Sequence, residues 1–325
     1  MSRRHARPRR EPPSVLVYYP DAADAKAYAE SVRVRRGGLR LSVCATPSEA
    51  ATAIGETEIL YAWKFPPELY PRASRLRWIQ AMGAGVDWAL VPTLPDDVVI
   101  TRMPGIFGPW MREYVLGWCL WVTQRMHTYR AAQRERRWRA DVVPERMAGK
   151  TIAVVGLGDI GRTIAATARA VGLRVLGVNR SGRAVRGIDR VYRLAGLPRA
   201  LADADFVVLA LPLTEATRGI VEARALAAMK PSAWLLNIGR GALVDEAALL
   251  DALRAGRLGG AVLDVFATEP LPAEHPLWTL DNVVVTPHIS GPSTVAELAP
   301  IFNDNLGRWL AARPLRYRVD RARGY

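Results

Sequence analysis

A chain of 325 residues, half of them hydrophobic, is long enough for two domains with separate cores. No uncharged apolar run reaches membrane-spanning length, and two distant cysteines, Cys44 and Cys119, argue against a disulfide scaffold or a cysteine zinc site. A reducing cytosol is the expected compartment. The net charge of +14 invites a nucleic-acid partner, but lysine stands only at 26, 64, 150 and 230 and the arginines are scattered through every segment, so no nucleic-acid or membrane partner is expected.

The Arg-rich start, SRRHARPRREPP, lacks the apolar core of a secretory signal, and residues 1–13 are expected to be a disordered tail rather than a binding arm. Strand signals follow at 15–19, 58–62, 76–80 and 98–100, with a helix over 22–36. This alternation predicts a parallel sheet covered on both faces. One long apolar helix is predicted from 110 to about 130, ending in a solvated charged run at 134–139. A second series predicts six strands at 151–156, 173–178, 205–210, 233–238, 260–264 and 282–286 with helices between them, and a last helix spans 294 to about 312.

The most informative segment is TIAVVGLGDIG, a β-branched run breaking into Gly156-x-Gly158-x-x-Gly161. The first glycine allows a tight turn, the second lets backbone approach a pyrophosphate, and the third lets the next helix pack closely. A helix starting near Asp159 would aim its free N–H groups, including that of Ile160, at the phosphates. A plain strand–turn–helix is the alternative, and the strand before and helix after favour dinucleotide binding.

Carbonyl reduction by hydride needs an acid, a cation for the substrate and a partner that tunes the acid. Of four histidines, His5 lies in the tail, His127 in a helix and His275 in a loop; His288 stands at the C-terminal end of an apolar strand, where open α/β sheets bind ligands. Arg240 shares that position, between glycines that would leave room for a substrate, and its fork suits an α-keto carboxylate. Glu269 follows the strand ending at Asp264, and a carboxylate beside an imidazole favours its charged form. Taken singly, these could be a structural histidine, a surface arginine and a loop glutamate.

The ordered set GLGDIG, LPLTEATRGI, NIGRGALVDEAAL, AVLDVFATEPLP and TPHISG resembles the D-isomer-specific 2-hydroxyacid dehydrogenase family over most of the chain. YAWKFPPE, GAGVDW, REYVLGW and VDRARGY resemble its glyoxylate/hydroxypyruvate reductase branch. The resemblance implies two doubly wound parallel-sheet α/β domains, a Rossmann cofactor domain (107–292) inserted into a flavodoxin-like substrate domain (1–106 and 293–325). It implies Arg240 as carboxylate binder, His288 as acid–base and Glu269 as its partner. It implies substrate contacts from Trp63, Lys64 and the Ala84, Gly85 and Val86 backbone, where glycines would let donors form an anion nest; Trp63 reads equally as a core aromatic. Cofactor contacts are further implied at Leu211, Pro212, Thr217, Ile238, Gly239, Asp264, His288 and Gly291, and no metal is implied. The family is typically dimeric, and the helix carrying Trp110, Trp118 and Trp121 fits a homodimer interface or a domain core.

NAD enzymes place an acid at the end of the second strand of this unit. Here Asn179, Arg180 and Ser181 stand there, an amide, a cation and a hydroxyl suited to a 2′-phosphate, with Arg183 nearby. NADPH is expected over NADH, and the chain reads as a cytoplasmic reductase of small 2-keto acids. A dinucleotide-sensing binding protein, or an NAD-linked enzyme for a larger 2-keto acid, stays as the alternative.

Overall fold

The computed structural model describes residues 12–34 and 38–325. Residues 1–11 of the Arg-rich start lie outside the described residues; the helix expected over 22–36 ends at Glu30, where the Ser31 N–H donates to the Ala27 carbonyl, and the chain is irregular over 32–34. The chain divides into two compact units, one running to Pro104 and resuming over Ser293–Tyr325, the other Gly105–Pro292.

The first unit holds strands β1 (Ser14–Tyr18), β2 (Arg40–Cys44), β3 (Ile59–Ala62), β4 (Trp78–Ala81) and β5 (Val99–Thr101), with helices α1 (Ala22–Glu30) and α2 (Pro47–Ala53). The sheet is wholly parallel in the order β2-β1-β3-β4-β5, a flavodoxin-like winding. Strand β2 is absent from the sequence reading because it is an edge: Leu41 and Val43 stay 41% and 44% exposed, so no buried apolar run marks it. Helix α2 opens on a capping box between Thr46 and Glu49.

The last helix of the chain, Val295–Leu310, lies in this unit. Its Phe302 stacks on Tyr61 at 4.1 Å, and its Asn305 Nδ2 donates to Gln80 Oε1 at 3.1 Å. The tail continues along β5, where Val319 N–H donates to the Ile100 carbonyl.

The second unit begins with α3 (Phe107–Thr123) and α4 (Met126–Arg134), two helices where the sequence reading expects one. The break falls at Arg125, which takes a left-handed φ of 54°. The incoming Glu145 segment caps α3 there, its N–H donating to the Thr123 carbonyl at 2.7 Å and its carboxylate pairing with Arg125.

Strands β6 (Thr151–Val155), β7 (Arg174–Val178), β8 (Arg190–Tyr192), β9 (Phe206–Leu209), β10 (Trp234–Asn237), β11 (Gly260–Leu263) and β12 (Val283–Val285) follow, with α5 (Asp159–Ala170), α6 (Leu197–Asp203), α7 (Ala223–Ala227) and α8 (Glu246–Arg254); the helix over Val295–Leu310 is α9. All seven strands are parallel in the order β12-β11-β10-β9-β6-β7-β8, one more than the six expected. The extra strand, β8, is a three-residue edge, too short to give a period. The order reverses between β6 and β9, so the loops after these strands flank the switch point where such sheets bind ligands.

Candidate active site

The turn after β6 is built from glycines with three different constraints. Gly156 takes φ 106°, and a Cβ there would sit 2.4 Å from the Ala210 carbonyl oxygen at the end of β9. A Cβ on Gly161 would lie 1.8 Å from the Gly156 carbonyl, so the third glycine seats α5 on the turn. Around Gly158 no atom lies within 4 Å of the Cβ position, and its φ of −74° suits any residue. The space a Cβ would fill lies at the start of α5, whose N-terminus has no side-chain cap. Open space against uncapped N–H groups fits a pyrophosphate. Asp159, in the first turn of α5, accepts the Gly105 N–H at 2.7 Å through its carboxylate, and Ile160 is half-buried beside it.

The loop after β7 modifies the sequence reading of Asn179 and Ser181. The Asn179 amide oxygen accepts the Gly182 N–H at 2.6 Å and the Ser181 hydroxyl at 3.2 Å, while its Nδ2 donates to the Arg183 carbonyl. Ser181 Oγ also accepts the Arg183 N–H. Amide and hydroxyl thus shape the turn. Arg180 is exposed and has no hydrogen bond or ion pair among the described residues. Arg193, which the sequence reading passed over, donates from Nε to the Ser181 carbonyl at 3.1 Å and fixes the loop from below.

After β9, Leu211 and Pro212 are half-buried, and buried Thr217 donates its hydroxyl to the Pro212 carbonyl at 2.7 Å and accepts the Thr214 N–H at 2.8 Å. That hydroxyl braces the wall of the loop. After β10, buried Ile238 and Gly239 lead to Arg240; Asn237 builds the turn, donating to the Arg240 carbonyl at 2.9 Å. The glycines beside Arg240 serve packing rather than substrate room: a Cβ on Gly239 would lie 2.9 Å from the Leu211 carbonyl oxygen, and one on Gly241 would lie 1.9 Å from the Phe266 carbonyl carbon. That close approach sets the half-buried Arg240 turn beside the loop that carries Glu269.

The loops after β11 and β12 join Glu269 to His288. His288 Nδ1 lies 2.8 Å from Glu269 Oε2, and Glu269 Oε1 accepts the Phe266 N–H at 3.2 Å. A carboxylate accepts only, so Nδ1 carries a proton and Nε2 is left for proton exchange. His288 takes a left-handed φ of 56°, a conformation that persists only when its surroundings impose it.

Asp264 imposes it. Its carbonyl accepts the His288 N–H at 2.9 Å, and its buried carboxylate accepts Thr286 Oγ1 at 2.6 Å, Ile289 N–H at 2.8 Å and Ser290 N–H at 2.9 Å. A second histidine pair, His275 Nε2 with Glu246 Oε1 at 3.1 Å, braces the neighbouring turn through the bond from Ala267 N–H to Glu246. Gly291 sits tight over α3, where a Cβ would meet Met111 at 3.1 Å. Among the described residues no cluster of three or more His, Cys, Asp or Glu could hold a metal ion, and no helix is long and apolar enough to cross a membrane.

In the first unit, Trp63 and Lys64 follow β3, and the 82–87 loop follows the adjacent β4. A Cβ on Gly83 would meet the Trp63 ring at 2.8 Å, and Lys64 Nζ lies 5.9 Å from the ring centre. Gly83 is therefore demanded by the indole and does not adopt the left-handed backbone that an alternating nest uses. Ala84 and Gly85 are half-exposed, and Val86 is a core residue.

The profile of the NAD-binding domain of D-isomer-specific 2-hydroxyacid dehydrogenases matches residues 116–290. A glyoxylate/hydroxypyruvate reductase A of Serratia proteamaculans is 37% identical over 238 residues, covering 70% of this chain and 75% of that protein. The structure of an NADPH-dependent glyoxylate/hydroxypyruvate reductase of Sinorhizobium meliloti, in complex with NADP and sulfate, is similar with a TM-score of 0.87 at 32% identity, covering 97% of this chain and all (100%) of that one. A Xanthobacter autotrophicus D-isomer-specific 2-hydroxyacid dehydrogenase in complex with NADPH and MES gives 0.83 at 35% identity, covering 97% and 99%. With this fold and these loops, the chain belongs to the D-isomer-specific 2-hydroxyacid dehydrogenase family, on its glyoxylate/hydroxypyruvate reductase branch, and is an oxidoreductase.

Proposed function

We propose that this oxidoreductase reduces small 2-keto acids of the glyoxylate and hydroxypyruvate kind to D-2-hydroxy acids, with NADPH preferred over NADH. The observation that carries the reading is the 2.8 Å bond between His288 Nδ1 and Glu269 at the strand ends next to Arg240. The dinucleotide supplies the hydride when bound. His288, held by Glu269 through Nδ1, gives the proton on Nε2 to the carbonyl oxygen as negative charge develops there. Arg240 pairs with the substrate carboxylate and fixes the carbonyl relative to the acid. The Gly156–Gly161 turn holds the pyrophosphate, and the walls at Leu211–Thr217, Ile238–Gly239, Asp264 and Gly291 shape the rest of the cofactor's seat.

The preference for NADPH rests on Arg180: an exposed cation without a partner among the described residues, in a turn where no carboxylate follows β7 to repel a 2′-phosphate. Trp63, Lys64 and the 84–86 loop are proposed as further substrate contacts of the first unit.

A cytoplasmic homodimer is part of the same proposal. Trp118 and Trp121 pack within the chain, Trp121 against Trp234 at 5.8 Å. Exposed Trp110, Met126, Tyr129 and Trp138 supply the apolar surface a second copy would cover. NADPH oxidation with glyoxylate and hydroxypyruvate tests the reading: turnover with both, and a higher kcat/KM for NADPH than for NADH, is expected. Dinucleotide binding without turnover on any 2-keto acid would leave a sensing protein instead.

A further inference from the structure

Helix α3 brings one polar side chain to the acid's loop that the proposed chemistry does not use. Tyr114 Oη lies 2.6 Å from Thr286 Oγ1, across 172 residues of sequence. Thr286 has a single hydroxyl proton, and it goes to Asp264 Oδ1, 2.6 Å away. Tyr114 must then be the donor, and the bonds run one way, from phenol to hydroxyl to carboxylate. Burial, the largest cause, raises the Tyr114 phenol above its ordinary range, so the donor form persists.

The carboxylate at the end of this chain also accepts the N–H groups of Ile289 and Ser290, the two residues after His288. Thr286 itself stands two residues before it. The left-handed backbone at His288 is thus gripped from both sides by bonds that meet at Asp264. Removing one donor frees the Thr286 side chain to rotate and weakens the rest, because polar networks out of water strengthen one another.

We propose that Tyr114 is a positioning residue for the acid: through Thr286 and Asp264 it holds His288 in the conformation that keeps Nδ1 on Glu269 and presents Nε2 to the substrate. This rests on His288 being the acid. It gives the REYVLGW segment a task beyond packing α3 against α5.

The test is steady-state NADPH oxidation with glyoxylate by Tyr114→Phe, Thr286→Val and Thr286→Ser, together with NADPH binding by fluorescence. Loss of one hydrogen bond predicts kcat lower by about two- to tenfold in Tyr114→Phe. KM for glyoxylate and the NADPH Kd should stay within about twofold, because no binding group is removed. Thr286→Val should lose at least as much, and Thr286→Ser, which keeps the hydroxyl, should restore most of it.

The double variant Tyr114→Phe/Thr286→Val should be no slower than Thr286→Val alone, since both cut one chain. An unchanged kcat in Tyr114→Phe, or losses that multiply in the double variant, overturns the proposal; if Tyr114→Phe does not fold, the Val and Ser variants at 286 decide it by the same criterion. His288→Asn separates the two levels. Wild-type turnover there removes the acid itself, whereas an inactive His288→Asn beside a normal Tyr114→Phe removes only the role of Tyr114.

Discussion

The turn after β6 and the loop after β12 stand at the same edge of one parallel sheet and are held by opposite means. The first rests on backbone against backbone, Gly156 meeting Ala210 and Gly161 meeting Gly156, with Arg162 Nε donating to the Leu157 carbonyl at 3.0 Å. The second is organised by a buried side chain, with the Asp264 carboxylate collecting three donors around a non-glycine residue in a left-handed conformation. A seat for phosphate has to present N–H groups and leave space, and glycine does both. The proposed acid needs one imidazole held in one orientation, which takes partners drawn from the ends of two strands and a helix.

The largest expected effects fall on the second loop. His288→Asn should lower kcat by about 10²–10⁴-fold with NADPH binding retained, the range a positioned general acid supplies. Retained turnover would break the distinction between a loop that binds and a loop that reacts. Glu269→Gln keeps the shape but removes the carboxylate that accepts from His288 Nδ1, and should lower kcat by about ten- to hundredfold with NADPH binding retained; unchanged turnover contradicts the pairing.

Next in size are two substitutions within the glycine turn itself. Gly161→Ala drives a Cβ into the Gly156 carbonyl and should destabilise by about 1–3 kcal/mol in thermal or denaturant unfolding. Gly158→Ala meets nothing and should leave stability unchanged while weakening NADPH binding. Equal effects of the two on stability would mean that the space at Gly158 is not open, and unchanged NADPH binding by Gly158→Ala would mean that it is not a ligand seat. The smallest is Arg180→Asp, which should cut the NADPH-to-NADH preference by about ten- to hundredfold without changing kcat on the better cofactor; an unchanged ratio would place the 2′-phosphate elsewhere.

The same contrast explains what was legible in the sequence. The glycine turn could be read because its constraint is local: strand, glycines and helix are consecutive. His288, Glu269 and Arg240 could be singled out by residue type at strand ends. Their supports could not, since Tyr114, Thr286 and Glu246 carry no mark that distinguishes them from any tyrosine, threonine or glutamate on an element.

Strands β2 and β8 escaped because each mixes charged or polar residues with apolar ones and buries a single residue, Cys44 and Tyr192, and the α3–α4 break because its cause, Glu145, lies twenty residues away from Arg125. The glycines at 239 and 241 read in the sequence as room for a substrate, but the space they leave is filled by Leu211 and Phe266 backbone.

Single-turnover reduction of glyoxylate, with NADPH bound in advance to wild type and to His288→Asn, tests the central claim most directly. The account predicts equal NADPH binding by both proteins and a hydride-transfer rate lower by two or more orders of magnitude in the variant. Equal rates in the two proteins would contradict it, and the acid would have to be sought outside the loop after β12.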